Sequence, residues 1–504
     1  MAGEAREKCA VAAIVAPNTK IPASVPAYES LFAMQHRGAE ATGLASLDPD
    51  GNLHSHRGRG LVRDVYDEDI IRALTGSTAV GHNRYPTAGS KKEHNQPFVD
   101  GAIGFAFGHN GTLPVTDLLE RDLEKNNINT AHCNDSEMVG LAIAQRIRGG
   151  HGLPRATELV YPLLQGAFSC VAMHDGLVVA FRDSKGIRPL AIGSFEGGRA
   201  VASETCGLDI IDAKYDREVM PGEMVIIAQD GTIESRQIVE GEPKLDAFEI
   251  VYFARHDSQL YGQDVDEVRR RFGEQLAGQH PPSPQLKNTK NILVVPIPDS
   301  SVPAAEGYAD RLGLQHRSAV LKNRYSGRTF MVPSDEGDDD NQKSRLSQLR
   351  RKHNIPRNAI RGRDVIFVDD SIVRMNTMPR IVALARFLGA RSVSVLIASP
   401  PVMFPDFYGI DTPQQSELAA ANMTIEAMRK AIDSNYLGFL SLKRMIKATG
   451  LPADMFTLSC FNGEYPIDIG RARRKEIKRP VNMRPNGRVS YFSKHDFSNL
   501  PAVV

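Results

Sequence analysis

Two adjacent aspartates follow a short apolar run in the second half of the chain. Asp369 and Asp370 come directly after the stretch 364–368, and a helical pattern begins near Pro379. In parallel sheets ligands bind at the carboxyl ends of strands, and a helix amino terminus offers free backbone N–H groups to an anion. This arrangement predicts a phosphate site in which the aspartates hold ribose hydroxyls or a magnesium ion. The structural alternative is a helix cap with two exposed acids.

The elements around this motif alternate between strand and helix. Strands are predicted at 292–297, 318–321, 364–368 and 392–397, and helices at 303–312 and 379–388. Such alternation indicates a parallel sheet with helices on both of its faces.

The first half of the chain has the pattern of strands and turns with fewer helices. Strands are predicted at 9–16, 103–108, 167–174 and 177–182, and helices at 28–34 and 136–147. The polar stretch 240–248 separates the two patterns, and after Gly470 the sequence becomes basic and irregular. We therefore expect two main domains and a carboxyl-terminal extension that is either solvated or docked.

The composition excludes several classes of protein. The chain has 504 residues, and 61 Lys and Arg against 60 Asp and Glu leave a net charge of +1, which argues against nucleic acid or anionic lipid as a partner. No stretch approaches the roughly 18 apolar residues that a membrane helix needs. Glu4 and Glu7 argue against a signal peptide. Five scattered cysteines without a CxxC pair indicate a reducing compartment, and we expect a cytoplasmic protein.

The sequence VDDSIVR at 368–374 resembles the signature of type I phosphoribosyltransferases. In its extended form it is similar to the motif of the glutamine phosphoribosylpyrophosphate amidotransferase family, which carries out the first step of purine synthesis. Further segments of the second half carry the same resemblance: VYFARHDS at 251–258, VVPIPDSS at 294–301, KNRYSGRTF at 322–330 and FYGID at 407–411.

Segments of the first half resemble the glutamine amidohydrolase domain of the amino-terminal nucleophile class. These segments are QHRGAEATGLA at 35–45, GHNRYPTAG at 81–89, GHNGTL at 108–113 and NDSE at 134–137. Each motif is weak when it is taken singly, but their order before a phosphoribosyltransferase pattern makes the resemblance specific.

For the second half, the resemblance implies a site for phosphoribosyl pyrophosphate. Magnesium would be held by Ser300, Asp369 and Asp370. The diphosphate would be bound by Lys322, Arg328 and Lys352, the last two from a loop that closes over the substrate. Arg and Lys suit this role because charged donors form strong hydrogen bonds to phosphate oxygens. The phosphate loop would continue with Ser371, Arg374, Met375, Asn376 and Thr377.

For the first half, the resemblance implies hydrolysis of glutamine by Cys9, which becomes the first residue once the octapeptide before it is removed. The base would be the α-amine of this same cysteine, a group whose ordinary pKa is near 8. Asn110 and the backbone N–H of Gly111 would form the oxyanion hole. The α-carboxylate of glutamine would pair with Arg84, and its α-ammonium group with Asp135. The alternative is a buried structural cysteine in an unprocessed strand.

Several positions depart from the family pattern. Some members hold an iron–sulfur cluster on four cysteines, whereas this chain has Asp246, Asp406 and Thr457 at three of those positions and retains Cys460. One thiolate cannot hold a cluster that needs four, so we expect no iron–sulfur cluster. Ala10 follows the nucleophile, where the family prefers glycine.

Two further departures fall near the expected phosphate site. The acidic stretch 334–341 resembles an insertion, and we expect it to form a solvated loop tip. Met375 stands where the phosphate loop of the family has glycine, a residue that permits a positive φ. We expect a negative φ at Met375, with its side chain turned to solvent.

These observations predict an αββα sandwich of the amino-terminal-nucleophile hydrolase type, followed by a type I phosphoribosyltransferase domain with a parallel sheet. The expected segments are a propeptide at 1–8, a glutamine amidotransferase domain at 9–240, a phosphoribosyltransferase domain at 241–470 and a basic extension at 471–504.

The expected activity forms 5-phosphoribosylamine, glutamate and diphosphate from phosphoribosyl pyrophosphate, glutamine and water, with Mg²⁺. We also expect a homo-oligomer and inhibition by purine nucleotides. Two alternatives remain open. One is a paralogue that delivers ammonia to a different acceptor, and the other is a non-enzymatic nucleotide sensor built on the phosphoribosyltransferase fold.

Overall fold

Two antiparallel sheets lie face to face in the first half of the chain. The structure is a computed structural model, and it describes residues 6–7, 9–17, 20–84, 94–286, 288–322, 353–411 and 414–483. The seven strands of the first sheet are, in spatial order, Lys214–Glu218, Ala191–Phe195, Gly198–Ala202, Ala10–Val15, Thr78–Arg84, Ala41–Leu47 and Leu53–Arg59. The six strands of the second are Ile233–Gln237, Glu223–Ile227, Leu177–Arg182, Gln165–His174, Phe105–Val115 and Phe98–Asp100.

Helices cover the outer face of each sheet. The helix Ser24–Ala33 packs on the first sheet, together with the short helices Val62–Val65, Glu68–Ala73 and Cys206–Asp209. The second sheet is covered by Asp117–Lys125, Asp135–Arg148 and Leu153–Val160. The layers are therefore helix, sheet, sheet and helix, which confirms the predicted sandwich.

The strand Ala10–Val15 is apolar along its whole length. Val11 and Ala13 belong to the core between the sheets, whereas Ala12 and Ile14 face the helical layer. Successive side chains of a strand point to opposite faces. Both faces of this strand are covered, so every position is apolar.

The second half contains a five-stranded parallel sheet. Its strands are, in spatial order, Gln315–His316, Ile292–Pro296, Asp364–Asp369, Ser392–Ile397 and Tyr436–Phe439. One face packs against Val265–Gln279, Val302–Leu312 and Leu442–Thr449, and the other against Met378–Phe387 and Ile425–Ile432. The predicted parallel sheet with helices on both faces is thus confirmed.

The predicted strand at 318–321 is wrong. The edge strand of the sheet is Gln315–His316, and Leu321–Lys322 pairs with His353–Asn354 in a separate ladder. Ala319 and Val320 are buried in the apolar cluster on one face of the sheet. Their hydrophobicity therefore reflects burial in an irregular segment.

Short elements complete the described part of the chain. Paired two-residue strands are Arg6–Glu7 with Ile410–Asp411, Leu245–Asp246 with Phe456–Thr457, and Gln259–Leu260 with Gln263–Asp264. Short helical segments are Gln35–Arg37, Tyr161–Leu163, Glu249–Phe253, Thr289–Asn291, Arg357–Ile360, Gln415–Glu417, Ala419–Asn422, Ala453–Met455, Ser459–Asn462 and Arg471–Glu476.

The described part of the basic extension is docked on the second half. Asn482 donates its side-chain amide to the carbonyl oxygens of Ala420 and Met423, each at 2.7 Å. Ile477 and Met483 pack against an apolar cluster of the parallel sheet. Across the described residues, no helix is both long and apolar enough to cross a bilayer.

Candidate functional site

Cys9 lies immediately before the central strand Ala10–Val15 of the first sheet. It is buried, with 9% of its surface exposed, and its φ of 73° is in the left-handed region. Non-glycine residues rarely adopt this conformation, which is concentrated at functional sites. The Nε of Arg37 donates a hydrogen bond to the carbonyl oxygen of Cys9 at 3.3 Å.

The hydroxyl of Ser203 connects the Cys9 strand to the expected oxyanion hole. It accepts a hydrogen bond of 2.9 Å from the backbone N–H of Val11 and one of 3.3 Å from the side-chain amide of Asn110. Asn110 belongs to the second sheet, so this one hydroxyl joins the two sheets near the nucleophile. Sequence analysis did not identify Ser203, because a serine between a strand and a glutamate carries no motif.

The next residue, Gly111, is in a position that only glycine can occupy. Its φ is 153°, and a Cβ at this position would lie 2.0 Å from the carbonyl oxygen of Ala167 on the adjacent strand. The close approach of the strands therefore requires glycine, and the backbone of Gly111 follows directly on from Asn110.

The predicted glutamine ligands lie at the ends of elements near this point. Arg84 ends the strand next to Ala10–Val15 and donates to the carbonyl oxygen of His94 at 2.8 Å. Asp135 begins a helix, and its carboxylate accepts the backbone N–H of Leu113 at 3.1 Å, two residues beyond Gly111. This contact ties Asp135 to the strand that carries the oxyanion donors.

Two buried histidines in this region are poor proton acceptors. Burial, the charge of Arg84 and that of His109 lower the pKa of His82 to about 3. Burial also lowers the pKa of His109, whose Nδ1 lies 2.9 Å from the Ser136 hydroxyl. Because a base must be able to hold a proton near neutral pH, neither imidazole replaces the α-amine in that role.

Four buried charged side chains meet behind Cys9. Arg37 donates through Nη1 and Nη2 to the two carboxylate oxygens of Glu249, at 3.2 and 3.1 Å, and also donates to Glu204. Arg188 pairs with Glu249 at 3.0 Å. None of the four side chains is exposed. The residues come from both halves of the chain, and the sequence motif QHRG at 35–38 was the only local signal for any of them.

The expected magnesium ligands lie at the carboxyl ends of two neighbouring parallel strands. Ser300 donates its hydroxyl to the Oδ2 of Asp370, and Ser371 donates to Oδ1 at 2.6 Å. The carboxylate of Asp369 accepts the backbone N–H of Asp370 at 3.0 Å. These oxygen donors fit the preference of magnesium for carboxylates and hydroxyls.

The loop expected to bind phosphate continues from these residues to the helix Met378–Phe387, which Thr377 precedes. Arg374 donates to the carboxylate of Glu417 at 2.8 Å, and Asn376 is exposed. Lys322 is also exposed. Arg328, Lys352 and the acidic stretch 334–341 lie outside the described residues.

The expected negative φ at Met375 is wrong. Its φ is 59°, and its half-buried side chain packs against the apolar cluster of the parallel sheet. The loop therefore keeps the backbone that glycine would favour, and methionine is accommodated there. Holding an L-residue in this region costs roughly 1–2 kcal/mol, which the apolar contact of the thioether offsets in part.

Asp246, Asp406, Thr457 and Cys460 form a buried polar cluster. The strand residues Asp246 and Thr457 are paired in register, and Ser459 donates to Asp406 at 3.4 Å. Burial and the charge of Asp406 raise the pKa of Asp246 well above its ordinary value. Within the described ranges, no group of three or more His, Cys, Asp or Glu side chains could hold a metal ion.

Comparisons with known proteins agree with this geometry. Residues 82–209 match the sequence model of a glutamine amidotransferase domain. The amidophosphoribosyltransferase of Synechococcus elongatus is 39% identical over 481 residues, which cover 94% of this chain and 93% of that protein. The enzyme of the same name from Mycobacterium leprae is 38% identical over 478 residues, 92% of this chain and 83% of that protein.

A solved structure extends the agreement to the complete fold. The glutamine phosphoribosylpyrophosphate amidotransferase of B. subtilis, in complex with ADP and GMP, superposes with a TM-score of 0.82 at 34% identity, covering 92% of this chain and 99% of that one. The two halves and their order are therefore those of this enzyme family. The chain belongs to the amidophosphoribosyltransferase family.

Proposed function

We propose that the chain forms 5-phosphoribosylamine, glutamate and diphosphate from phosphoribosyl pyrophosphate, glutamine and water. The observation that carries this proposal is the presence of two different sites in one chain. In the sandwich, Ser203 links Asn110 to the strand that follows Cys9, and Ser300 meets Asp370 at the ends of the parallel strands. A thiol near an amide donor suits cleavage of an amide, and the second set suits a metal-bound diphosphate.

In the glutaminase step, the free α-amine of Cys9 takes the thiol proton as sulfur attacks the side-chain carbonyl of glutamine. The oxyanion that forms is stabilised by the amide of Asn110 and the N–H of Gly111. Collapse of this intermediate breaks the C–N bond, and the proton held on the amine passes to the leaving nitrogen, which departs as ammonia. Water then hydrolyses the thioester to glutamate and restores the Cys9 thiol. Arg84 and Asp135 would hold the two ends of the amino acid group.

In the synthase step, ammonia attacks the C1 carbon of phosphoribosyl pyrophosphate as the bond to diphosphate breaks. The loop Ser371, Arg374, Met375, Asn376 and Thr377 would bind the 5-phosphate, with its N–H groups near the start of the following helix. Lys322, Arg328 and Lys352 would bind the leaving diphosphate. Their positive charge stabilises the negative charge that develops on the leaving group.

Ser300, Asp369 and Asp370 would hold Mg²⁺ in this second site. When bound, the ion neutralises charge on the diphosphate and so favours its departure. The contribution of the chain is to fix the ligands: Ser300 and Ser371 both donate to the Asp370 carboxylate and hold its plane.

Use of the Cys9 amine requires removal of residues 1–8, which form the proposed propeptide. We propose that the glutaminase domain spans 9–240, the phosphoribosyltransferase domain 241–470, and the basic extension 471–504. The mass of the active protein should correspond to an amino terminus at Cys9. Full glutamine turnover by a chain that retains the octapeptide would contradict this mechanism.

We further propose that the enzyme is a cytoplasmic homo-oligomer and that purine nucleotides inhibit it. The complex of the B. subtilis relative with ADP and GMP supports the choice of nucleotides. End-product nucleotides share the ribose phosphate of the substrate, so the loop that follows Asp370 would recognise both.

The positive φ of Met375 is the one observation that favours the alternative, a glutamine amidotransferase with a different ammonia acceptor. Even if the whole cost of roughly 1–2 kcal/mol fell on substrate binding, the loss would be about tenfold or somewhat more. Such a loss would weaken binding of phosphoribosyl pyrophosphate without abolishing it, so the leading function stands.

The decisive experiment incubates the protein with glutamine, magnesium and phosphoribosyl pyrophosphate and measures glutamate and diphosphate. The two products should appear in equal amounts. Cys9→Ala should abolish glutamine-dependent turnover but retain ammonia-dependent synthesis, because the two reactions use separate sites. Glutamate without diphosphate would favour the alternative, and glutamine turnover by Cys9→Ala would require another nucleophile.

A further inference from the structure

Arg37 is a charged residue that directly contacts the backbone of Cys9. It ends the short helical segment Gln35–Arg37, and no part of its side chain is exposed. Its Nε donates to the carbonyl oxygen of Cys9 at 3.3 Å. The glutaminase mechanism described above assigns no role to this side chain.

The direction of this hydrogen bond is set by Glu249. The two carboxylate oxygens of Glu249 accept from Nη1 and Nη2 of Arg37 at 3.2 and 3.1 Å. Such a bidentate ion pair fixes the plane of the guanidinium group. Because Nε lies in that same plane, the pair also fixes the direction in which Nε points to Cys9.

The second half of the chain holds both acidic partners in place. Glu249 begins a helical segment packed in the core of that half and also pairs with Arg188 at 3.0 Å. Glu204 accepts the Ser258 hydroxyl at 2.7 Å and the backbone N–H of Arg255 at 2.9 Å. The position of the nucleophile therefore depends on contacts with the phosphoribosyltransferase half.

We propose that Arg37 is a positioning residue for glutamine hydrolysis, which holds Cys9 in its left-handed conformation and places a buried positive charge beside its amine. The inference rests on the proposed function, because it requires Cys9 as the first residue and its α-amine as the base. It adds a residue that acts through the backbone of Cys9.

The charges around Arg37 predict the sign of the effect. Arg37 and Arg188 balance Glu204 and Glu249, so the buried group is neutral when all four are charged. Other titratable side chains face this group. Glu204 has His36 at 2.9 Å, Cys206 at 3.7 Å, and the charges of Arg255 and Arg269 near it, and Asp246 faces Arg188 and Glu249. A positive charge disfavours a nearby ammonium and lowers its pKa, whereas a negative charge raises that pKa.

Substitutions on the two sides of the pair should therefore shift the pH profile in opposite directions. Arg37→Gln leaves the group with a net negative charge, so the acid limb of kcat/KM for glutamine should move up by about 0.5 pH unit or more. Glu249→Gln leaves a net positive charge, so the limb should move down by a similar amount. Arg37→Lys retains the charge, so kcat should fall while the limb stays in place.

The matched control is Glu218→Gln, which removes one charge from another buried pair, in the first half of the chain. Glu218 lies 3.7 Å from Arg182 and ends the edge strand Lys214–Glu218, three strands away from Ala10–Val15 in the first sheet. This variant should lower stability without moving the acid limb. Ammonia-dependent synthesis is measured for each protein to establish that it is folded.

Each outcome of these measurements supports or contradicts the positioning role. Opposite shifts in Arg37→Gln and Glu249→Gln would support the positioning role. Shifts in the same direction would overturn the positioning role. So would the absence of a shift in both variants, provided that their ammonia-dependent rates equal that of the wild type. If Arg37→Gln does not fold, the other two variants still test the positioning role. An acid limb that stays in place in Glu249→Gln would contradict the charge argument. An acid limb that moves in Arg37→Lys would also contradict it. Glutamine turnover by Cys9→Ala would instead refute the proposed function.

Discussion

The side-chain amide of Asn110 donates to the Ser203 hydroxyl at 3.3 Å, and that same hydroxyl accepts the backbone N–H of Val11 at 2.9 Å. One amide hydrogen of Asn110 is therefore directed to Ser203, and the proposed oxyanion contact would use the other. Ser203 thus sets the orientation of a donor that belongs to the opposite sheet.

Ser203→Ala should lower kcat for glutamine by about tenfold. This loss is smaller than the roughly 10²- to 10³-fold that follows removal of an oxyanion donor itself, because Asn110 remains present but less well oriented. Steady-state glutamate release measures the effect, with ammonia-dependent synthesis unchanged. Ser46→Ala is the control, since the Ser46 hydroxyl is buried in the same sheet and has no hydrogen-bond partner within the described part of the chain. Equal losses in both variants would contradict a role for Ser203 in orientation.

Ser300→Ala and Asp370→Asn should weaken the magnesium-dependent step. Asp370→Asn removes a charged ligand, so we expect ammonia-dependent synthesis to fall by about a hundredfold, or close to 3 kcal/mol. Ser300→Ala should raise the magnesium concentration needed for half-maximal rate, and excess magnesium should restore part of the activity.

The control for these variants is Ser392→Ala. Ser392 donates to Asp364 at 2.7 Å, a similar contact at the opposite end of the same sheet. This variant should have an unchanged magnesium requirement. If Ser300→Ala and Ser392→Ala respond alike to magnesium, the metal site lies elsewhere.

Glycine at position 375 should bind phosphoribosyl pyrophosphate more tightly than alanine. Both Met375→Gly and Met375→Ala lose the thioether contact, so their difference isolates the effect of a Cβ at φ 59°. A Cβ on a residue with a positive φ costs roughly 1–2 kcal/mol. Part of this conformational cost is already present before the substrate binds. We expect a three- to tenfold difference in Kd, measured by calorimetry. Equal affinities would mean that the loop has the same φ with and without substrate, so that the whole cost falls on folding and none on binding.

Asp246→Asn should stabilise the protein more at high pH than at low pH. Burial and then the Asp406 charge raise the pKa of Asp246 in the folded protein. A raised carboxyl pKa means that stability is full below the unfolded value of about 3.9 and is lost as pH rises toward the folded value. Asparagine cannot ionise, so the variant avoids this loss.

The gap in melting temperature between Asp246→Asn and wild type should therefore widen from pH 5 to pH 8. Asp310→Asn is the control, because Asp310 is exposed on the helix Val302–Leu312. A gap that is constant over this pH range would show that Asp246 is already ionised at pH 5.

The purified protein should contain no stoichiometric iron or acid-labile sulfide. Cys460 is the one thiol at the four positions that bind a cluster in some relatives, and burial raises its pKa well above the ordinary value. A protonated thiol is a poor metal ligand. An assay that finds close to four iron atoms per chain would refute this expectation.

The sequence by itself located most of the elements that carry chemistry. The apolar run that begins at Cys9 predicted a buried strand, since a strand covered on both faces must be apolar throughout. The run before Asp369 likewise predicted a buried parallel strand with a loop at its carboxyl end. These features are local, because periodicity and turn residues act over a few positions.

Only the tertiary structure decided which distant side chains meet. Arg37 and Glu249 are separated by 212 positions, and their pairing depends on how a sandwich and a parallel sheet pack together. The φ of Met375 was also beyond local reasoning, because contact with the apolar cluster of the sheet accommodates a backbone that methionine disfavours. A sequence pattern fixes which face of an element is buried, whereas the partner of a buried charge is fixed by three-dimensional packing.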